Sequence, residues 1–381
     1  MKPKLRFKEF NSDWNTYKFY ELVTIKNGQV DPNDEQYRNL PHIGPGNIEK
    51  ETGRLLEYNL AKDDKLVSSK YLFDKESVIY GKINPHFAKV CYPKFVGLCS
   101  ADAYPINPIK DKLTSEFLLY LLLNPQFTKF ATSVSMRTGM PKINRDELSI
   151  YKFTIPEIAE QFKIGNMLTL LDKKIELQSK KIEDLKLFKL YTKNQLFRSG
   201  EKVVKLKDIL NKWNEKNKDG SIKYVESISN KYGFISQSDQ FEDRNIASKD
   251  LKNYYVIRKN VFGYNPSRLN VGSLALKEND NTSVVSPLYE CFTTTQNNKF
   301  MLEWFDSKYF KKGTLSKFEG GVRNTLNFTN LCEIEINLPT LDKQNEFANY
   351  LYNFDKKIQL EELKLNKLNE MKKGLMQNMF V

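Results

Sequence analysis

The sequence reads PEIAEQFKIGNMLTLLDKKIELQSKKIEDLKLFKLYTKNQLF from 156 to 197 and PTLDKQNEFANYLYNFDKKIQLEELKLNKLNEMKKGLMQNMF from 339 to 380. The two stretches align without a gap, because the same residue types recur 183 residues apart. A repeat of this length predicts a whole domain and a long helix that were duplicated once. The matched pairs include Pro156 and Pro339, Gln161 and Gln344, Asp172 and Asp355, and Phe197 and Phe380.

Both stretches have the spacing of a long amphipathic helix without internal proline. At 1.5 Å per residue, the segment 168–197 would reach about 45 Å, whereas one turn of B-DNA is about 34 Å long. We expect the two helices to pair with each other in antiparallel directions. The predicted seam consists of Leu168, Leu171, Ile175, Gln178, Ile182, Leu185, Lys189, Thr192 and Leu196 in the first copy, and Leu351, Phe354, Ile358, Glu361, Leu365, Leu368, Lys372, Leu375 and Met379 in the second.

A coiled coil that only dimerises the protein would produce the same heptads. The placement favours pairing inside one chain, because one helix lies between two globular-sized segments and the other follows the second segment. We therefore predict an α+β fold with a pseudo-twofold internal repeat, in which two globular domains are separated by a spacer of two long antiparallel helices. The predicted parts are a first domain at 1–155, a helical region at 156–199, a second domain at 200–338 and a second helical region at 339–381.

The composition suits folded domains with a polyanionic partner. The chain has 381 residues, of which 40% are hydrophobic and 13% aromatic, enough to build two cores. Sixty Lys and Arg against 47 Asp and Glu give a net charge of +13, which favours contacts with phosphates. The sequence has no apolar run of transmembrane length and no secretory signal at its start, so we expect a cytoplasmic protein that does not enter membranes.

The residue inventory argues against several enzyme classes. The four cysteines form no C-x-x-C pair, which favours small buried hydrophobic residues over a zinc site or disulfides. Both histidines, His42 and His86, lie in the first half, so a duplicated His-dependent active site is excluded. The sequence contains no G-x-x-x-x-G-K-[ST] motif for ATP.

Each half carries an Asn-Pro turn and a later basic loop that contains glycine. The turns are at Asn84-Pro85 and Asn265-Pro266, and the loops read RTGMPK at 137–142 and GGVRN at 320–324. Around them, short apolar runs bounded by Gly, Pro and Asn predict strands near 77–80, 95–98, 260–264 and 283–286, and helices at 114–123 and 298–310. The long helices match far better than the domains, which is the pattern expected of diverged recognition surfaces on a retained scaffold.

The chain resembles the specificity (S) subunits of type I restriction-modification systems. The resemblance is carried by LRFKEF at 5–10 with Trp14, by YNPSRLNVGS at 264–273, by GGVR at 320–323 and by the Pro-x-x-x-x-Gln start of both helical stretches. It covers essentially the whole chain, and the repeated layout is more specific than any one motif.

The resemblance implies a non-catalytic subunit of a larger complex. Each globular domain would be a target recognition domain that reads one half of a bipartite site in double-stranded DNA, and the helical regions would fix the unread gap. The subunit would bind no cofactor itself. It would hold two methyltransferase (M) subunits, which use S-adenosylmethionine to methylate adenine N6, and with them two restriction (R) subunits that depend on ATP and magnesium.

The DNA contacts are expected on the turns and loops, where Lys and Arg neutralise phosphates and polar side chains read base edges. The first domain has GKINPHF where the second has GYNPSR, so the two halves are expected to read different sequences. The candidate DNA-binding residues are Lys82, Asn84, His86, Arg137, Lys142 and Arg145 in the first domain, and Ser267, Arg268, Lys317, Arg323 and Asn324 in the second.

Three rival interpretations remain to be compared. The run Asn84-Pro85-His86-Phe87 approaches the Asn/Asp-Pro-Pro-aromatic loop of adenine methyltransferases, but its second proline is replaced and no Gly-rich turn for the methyl donor is present. A nuclease would need a carboxylate cluster, and residues such as Asp102 and Glu290 form none that the sequence can define.

The third alternative is a stand-alone bipartite DNA-binding regulatory protein. A subunit that needs partners should keep apolar residues exposed on its paired helices. The candidates outside the seam are Ile164, Leu170, Leu177, Leu187 and Phe188, although contact with the adjacent domains would explain them equally well.

Overall fold

The computed structural model describes residues 2–135, 139–198, 200–230, 232–237, 250–269, 272–315, 317 and 325–381. The chain divides into two compact units. Unit 1 comprises Met1–Ser179 and Leu363–Val381, and unit 2 comprises Lys180–Glu362. Each unit therefore contains one α+β domain and a part of each long helix.

The described part of unit 1 combines nine short strands with four short helices, the start of the first long helix and the end of the second. Its strands are β1 (Asn15–Lys18), β2 (Val23–Ile25), β3 (His42–Ile43), β4 (Tyr71–Phe73), β5 (Val78–Gly81), β6 (Val90–Cys91), β7 (Gly97–Cys99), β8 (Ala103–Pro108) and β9 (Lys152–Ile155). Its helices are α1 (Phe19–Leu22), α2 (Ser115–Leu123), α3 (Pro125–Ser135), α4 (Arg145–Ile150) and α5 (Ile158–Leu196), of which α5 continues into unit 2.

Unit 2 repeats this composition. Its described strands are β10 (Lys202–Lys205), β11 (Leu210–Trp213), β12 (Glu226–Ser229), β13 (Gly233–Ser236), β14 (Tyr255–Ile257), β15 (Phe262–Tyr264), β16 (Leu274–Leu276), β17 (Ser283–Val285), β18 (Glu290–Thr294) and β19 (Glu335–Leu338). Its described helices are α6 (Asn298–Phe305), α7 (Lys308–Thr314), α8 (Phe328–Cys332) and α9 (Leu341–Asn378), of which α9 continues into unit 1.

The sheets of the two units have the same strand order. Unit 1 has a four-stranded antiparallel sheet in the order β2-β8-β5-β6, and unit 2 has one in the order β11-β18-β15-β16. In each unit a separate pair, β1-β9 or β10-β19, joins the first strand to the one that precedes the long helix. The domains therefore share an architecture that their sequences show only faintly.

Asn and Thr caps set the starts of equivalent helices. The side chain of Thr114 accepts a hydrogen bond from the N–H of Phe117 at the start of α2, and Asn297 does the same for Phe300 at the start of α6. Such caps satisfy backbone donors that the first helical turn leaves free. Because Thr114 and Asn297 are also 183 residues apart, the constant offset begins well before the predicted repeat at Pro156.

One predicted helix is divided in the structure. The sequence predicts a single helix at 298–310, but α6 ends at Phe305 and α7 begins at Lys308. The physical reason is Ser307, whose hydroxyl accepts a hydrogen bond from the N–H of Phe310 at 3.3 Å and so starts a new helix. The predicted helix at 114–123 is confirmed as α2, and β5, β7, β15 and β17 overlap the four predicted strands.

The long helices pair in antiparallel directions within each unit. In unit 1, Lys372 bonds Asp172 at 2.6 Å, and in unit 2, Lys189 bonds Asp355 at 2.7 Å. The lysines occupy equivalent positions of the two copies, as do the aspartates, so each copy supplies the lysine of one pair and the aspartate of the other. Every predicted seam residue is buried or half-buried, which confirms the heptad interpretation.

Aromatic contacts follow the same reciprocal rule. Phe117 of α2 stacks on Phe380 with ring centroids 5.2 Å apart, and Phe300 of α6 meets Phe197 at 5.4 Å. These rings belong to the main hydrophobic core of unit 1 and of unit 2, respectively. This exchange between copies is what a pseudo-twofold repeat produces.

The glutamine of each Pro-x-x-x-x-Gln start joins a domain to its long helix. Gln161 accepts from the N–H of Thr114 at 3.1 Å and donates to the carbonyls of Lys112 and Pro156, each at 2.9 Å. Gln344 accepts from the N–H of Asn297 at 3.1 Å and donates to the carbonyl of Pro339 at 2.9 Å. Both glutamines are completely buried, so the motif fixes the domain helix against the long helix.

Candidate nucleic-acid interface

In unit 1 the Asn-Pro turn lies against the end of the basic loop and the residue that follows it, Ile143. The turn follows β5, places Asn84 in the left-handed region (φ 50°, ψ 60°) and continues as a short 3-10 helix, Pro85–Phe87. The N–H of Asn84 donates to the carbonyl of Pro141 at 2.8 Å, and the N–H of Ile143 donates to the carbonyl of Lys82 at 3.0 Å. These bonds bring together the predicted residues Lys82, Asn84, His86, Lys142 and Arg145.

Two of the predicted cations in unit 1 are engaged within the protein. Lys82 is buried with its Nζ 5.1 Å from the ring centroid of Tyr104, and burial together with the charge of Lys142 lowers the pKa of its amine. The guanidinium of Arg145 donates to the carbonyl of Lys26 at 2.8 Å and also bonds the side chain of Asn27. Lys82 and Arg145 therefore hold the Asn-Pro turn and the end of the basic loop in place around Tyr104.

The side chains of Asn84, His86 and Lys142 are instead available to a ligand. His86 and Lys142 are exposed and Asn84 is half-exposed. Within the part of unit 1 that the structure describes, these three side chains make no hydrogen bond or ion pair. The His86 ring packs on Phe87 with centroids 4.1 Å apart. The turn thus presents the amide of Asn84 and the imidazole of His86, and the adjacent loop presents the ammonium of Lys142. These groups can donate to or accept from a ligand.

Lys50 joins this surface, although no pattern in the sequence predicts it there. Its Nζ lies 3.6 Å from the ring centroid of Phe87, and the N–H of the next residue, Glu51, donates to the carbonyl of Phe87 at 3.2 Å. The segment that contains Lys50 and Glu51 is also attached to the long helix α9, since Lys372 donates to the carbonyl of Thr52 at 3.0 Å. Only the fold brings Lys50 beside a turn more than thirty residues away.

The turn of unit 2 is built similarly but leaves other groups exposed. Asn265 closes an Asx turn, because its side-chain oxygen accepts from the N–H of Ser267 at 3.0 Å. The carbonyl of Pro266 accepts from the N–H of Leu326 at 3.1 Å, which attaches the turn to the segment after the second basic loop. Ser267 and Arg268 are both exposed on this turn.

Of the four remaining predicted residues, one lies within the described part of the chain. Lys317 is half-buried, and its carbonyl accepts from the side chain of Asn330 at 3.2 Å, so the structure does not place it on the turn. Arg137, Arg323 and Asn324 lie outside the described residues. The structure therefore brings together five predicted residues in unit 1 and two in unit 2.

The described residues give no support for a catalytic centre. They contain no group of three or more His, Cys, Asp or Glu side chains that could hold a metal ion. Burial raises the pKa of Cys99 and of Cys291 to about 12, so these thiols stay protonated near neutral pH. Glu290, considered for a nuclease, is instead paired with Lys212 at 3.1 Å.

Four of the five apolar residues predicted to lie outside the seam are exposed on α5, and one of them, Phe188, also packs on Phe354 with ring centroids 5.6 Å apart. Leu170, Leu177, Leu187 and Phe188 are between 51% and 69% exposed, although the helix is paired along its seam. Ile164 is only 1% exposed and belongs to the core of unit 1, so its assignment to this face was wrong. None of the helices that the structure describes is long and apolar enough to cross a membrane.

Comparisons with known proteins match this arrangement. The sequence profile described as "Type I restriction modification DNA specificity domain" matches twice, at residues 11–187 and 199–370. The specificity subunit of the type I restriction enzyme EcoDI from Escherichia coli is 35% identical over 153 residues, which cover 40% of this chain and 33% of that protein. The MjaVIII specificity subunit from Methanocaldococcus jannaschii is 26% identical over 208 residues, which cover 52% of this chain and 48% of that protein. The chain thus spans between a third and a half of the length of these relatives.

Solved structures show the same fold. The type I restriction-modification S subunit from M. genitalium superposes with a TM-score of 0.59 at 15% identity, with 100% of this chain and 99% of that chain covered. A chain from a structural study of complex assembly and conformational transition in the type I R-M system has a TM-score of 0.60 at 13% identity, with 98% of each chain covered. At sequence identities of 13% and 15%, these two matches show similarity of fold alone.

Proposed function

This chain belongs to the family described by the type I restriction modification DNA specificity domain, and from that premise we propose that it selects the DNA sites of a type I restriction-modification complex. Each unit reads one half of a bipartite site in double-stranded DNA. The chain carries no catalytic step of its own. Methyl transfer and cleavage belong to partner subunits.

One observation carries the proposal: the two units present equivalent turns with unlike exposed groups. Unit 1 exposes His86 and leaves Asn84 half-exposed, and unit 2 exposes Ser267 and Arg268. Equivalent frameworks with different donors and acceptors are what a reader of two different half-sites requires. The excess of positive charge over the chain supports the phosphate contacts that would hold either turn in a groove.

The proposed DNA contacts are those expected from the sequence, with roles refined by burial. Exposed groups on the turns face the DNA, whereas Lys82 and Arg145 support the interface through Tyr104 and the backbone. The proposed residues are Lys82, Asn84, His86, Arg137, Lys142 and Arg145 for one half-site, and Ser267, Arg268, Lys317, Arg323 and Asn324 for the other.

The exposed apolar residues of α5 support a partner-dependent role. We assign Leu170, Leu177, Leu187 and Phe188 to the binding of two methyltransferase subunits, which bring two restriction subunits into the complex. S-adenosylmethionine, ATP and magnesium would be bound by those partners. A cytoplasmic location, where the DNA and the partners would be found, remains a prediction.

The partner assignment separates this function from that of a stand-alone DNA-binding regulator. Leu177→Glu should abolish co-purification with a co-expressed methyltransferase subunit, because it places a charge in an apolar contact. Lys180→Glu, an exposed change three residues away, should leave co-purification intact. A chain that never co-purifies with the methyltransferase, yet binds a specific duplex tightly, would favour the regulator.

We further propose that the long helices determine the length of the unread gap. The 39 residues of α5 belong to both units, so an insertion in this helix should change the spacing of the two readers. Four residues inserted near Lys180 add about 6 Å of helix. The expected result is an altered gap or loss of assembly with both half-sites unchanged, and an altered half-site with an unchanged gap would contradict this role.

The experiment that tests the function is a methylation map. The chain and its methyltransferase subunit are expressed in a host that lacks other adenine methylation, and modified bases are located by single-molecule sequencing. The proposal predicts one motif with two specified parts and an unspecified interval of fixed length. Absence of sequence-specific methylation with a folded, assembled complex would contradict it.

A further inference from the structure

The two Asn-Pro turns use their asparagines differently. The Asn265 side-chain oxygen is occupied by the N–H of Ser267 at 3.0 Å, which is a common way for Asn to stabilise a turn. Asn84 makes no side-chain cap hydrogen bond to the 3-10 helix that follows it. Its turn is held instead by backbone bonds, including the one from its own N–H to the carbonyl of Pro141. The carboxamide of Asn84 is therefore available to a ligand.

Arg268 supplies the available group of the second turn. Its N–H donates to the carbonyl of Asn265 at 3.0 Å, and its carbonyl accepts from the N–H of Ser273 at 3.2 Å. The backbone is thus fixed while the side chain is exposed, and within the described part of unit 2 the guanidinium makes no hydrogen bond or ion pair. A fixed backbone with an unoccupied planar donor suits bidentate recognition.

Other cations near the turns are less suited to reading bases. Arg145 is occupied by protein acceptors, Lys82 is buried, and the ammonium of Lys50 lies over Phe87. Lys142 is exposed, but an ammonium on a flexible stem acts as a point charge and favours phosphates.

We propose that Asn84 reads an adenine in one half-site and that Arg268 reads a guanine in the other. This step rests on the function proposed above. The Asn84 amide can accept from adenine N6 and donate to N7, and the Arg268 guanidinium can donate to guanine O6 and N7. The two half-sites therefore differ at the base pair that each turn contacts.

The same substitution in both turns tests the first assignment. Asn84→Asp keeps the size of the side chain and the tolerance for the left-handed backbone, but replaces the donor to adenine N7 by an acceptor. Asn265→Asp adds an equal charge to the equivalent turn, while its oxygen can still accept from the N–H of Ser267. Methylation maps should show that Asn84→Asp loses or changes one adenine position in one half-site, whereas Asn265→Asp keeps the parent motif. Equal loss of methylation in both variants without a change of motif would overturn the assignment.

Modified DNA tests both assignments without depending on how a variant folds. With the unmodified protein in complex with its methyltransferase subunit, 7-deazaadenine and 7-deazaguanine are placed one position at a time in the mapped site, and binding is measured. One adenine position and, in the opposite half-site, one guanine position should each weaken binding between about 5- and 150-fold. Arg268→Ala should remove the sensitivity to the deazaguanine, and Lys218→Ala, an exposed change elsewhere in unit 2, should not.

The outcomes separate this inference from the proposed function. A parent protein without a bipartite methylation motif would contradict the function itself. A parent protein with such a motif, but with no position sensitive to deazaguanine or with equal sensitivity in Arg268→Ala, would overturn the guanine assignment alone. The adenine assignment fails in the same way if no deazaadenine position weakens binding.

Discussion

Units 1 and 2 share a scaffold and differ at their turns. The order of the four-stranded sheet, the caps of the following helices and the buried Gln161 and Gln344 recur with equivalent partners. The turns keep their backbone attachment but expose Asn84 and His86 in unit 1 against Ser267 and Arg268 in unit 2. A few reciprocal contacts therefore maintain the scaffold while the residues on the turns diverge.

The units also differ in how strongly the scaffold is fixed. Arg6 donates two hydrogen bonds, at 2.8 and 2.7 Å, to the completely buried Glu160 in unit 1. In unit 2 the residue equivalent to Glu160 is Lys343, which makes an exposed ion pair with Glu201 at 2.5 Å. Desolvation makes the first pair sensitive to the loss of either partner, whereas solvent screens the second. At this position unit 1 therefore depends more than unit 2 on a buried polar contact, although unit 2 buries another ion pair, between Lys277 and Glu226.

The largest expected difference follows from this pair. Arg6→Ala leaves the Glu160 carboxylate buried and unpaired, so we expect the free energy of unfolding of unit 1 to fall by about 3 kcal/mol or more. Hydrogen exchange resolved by unit is the suitable measurement, because two units need not unfold together. Lys343→Ala is the matched control and should leave the protection of unit 2 unchanged. Equal effects of the two changes would show that burial of the first pair is not decisive.

The next comparison concerns the two buried glutamines. Gln161→Leu leaves two buried groups, the N–H of Thr114 and the carbonyl of Pro156, without a partner, which should cost about 3 kcal/mol. Gln344→Leu should cost less, about 1–2 kcal/mol. Its partners Asn297 and Gln296, whose side-chain oxygen accepts from Gln344 at 2.9 Å, are only half-buried and can bond water. Denaturant unfolding followed by unit-resolved exchange gives both values. A larger cost for Gln344→Leu would contradict the assigned difference.

The reciprocal ion pairs of the long helices provide a smaller contrast. Asp172→Asn removes the charge that faces Lys372 but keeps an acceptor for the Tyr120 hydroxyl, which donates to Asp172 at 2.8 Å. We expect a loss of about 1 kcal/mol. Asp355→Asn should have less effect, since Lys189 keeps its ion pair with Glu303 at 3.3 Å. Thermal unfolding of both variants at low and high salt checks this order, and a greater loss in Asp355→Asn would reverse it.

The smallest expected effect is a pH dependence in unit 1. Burial alone would raise the pKa of the Asp74 carboxyl, but hydrogen bonds from Lys26 and Asn107 outweigh it and lower the pKa to about 2. Because the folded pKa lies below the unfolded one, the stabilisation is present above about pH 4 and is lost as the pH falls towards 2. Since Asp74 is partly exposed, we expect less than about 1 kcal/mol at pH 7.

The Asp74→Asn variant should therefore unfold more easily than the parent at pH 7 and approach the parent near pH 2. Asp280→Asn is the comparison in unit 2, where the exposed Asp280 pairs with Lys259 at 3.0 Å. It should follow the parent at every pH. A parent curve of unfolding free energy that is flat between pH 4 and pH 2 would contradict the role of Asp74.

The long helices could be predicted from the sequence because their contacts are periodic. The seam from Leu168 to Leu196 and its copy contain enough repeated positions to indicate both helices. Their placement between and after the two domains indicated that they pair with each other in antiparallel directions. The division of 298–310 could not be predicted from apolar spacing, because it depends on one hydroxyl of Ser307 acting as a cap. Capping residues compete locally with helix continuation, so composition alone does not decide between them.

The turns could be found from the sequence, but the roles of their residues could not. The Asn-Pro pairs indicated both turns, yet only the structure shows that Asn265 is occupied and Arg145 is bound by backbone carbonyls. Lys50 had no sequence signal, because long-range chain contacts bring it to Phe87. The four-part division at 1–155, 156–199, 200–338 and 339–381 stays a prediction, since the compact units cut across the long helices.

We expect each domain to read its own half-site on an interchangeable scaffold, and an exchange of domains tests this expectation. Its most direct test is a chain in which residues 15–155 replace residues 202–338, two segments that begin at the equivalent strands β1 and β10 and end with β9 and β19. The methylation map of this chain with its methyltransferase subunit should contain the half-site of the first domain twice and no trace of the second. A map that keeps the parent's second half-site would contradict the claim.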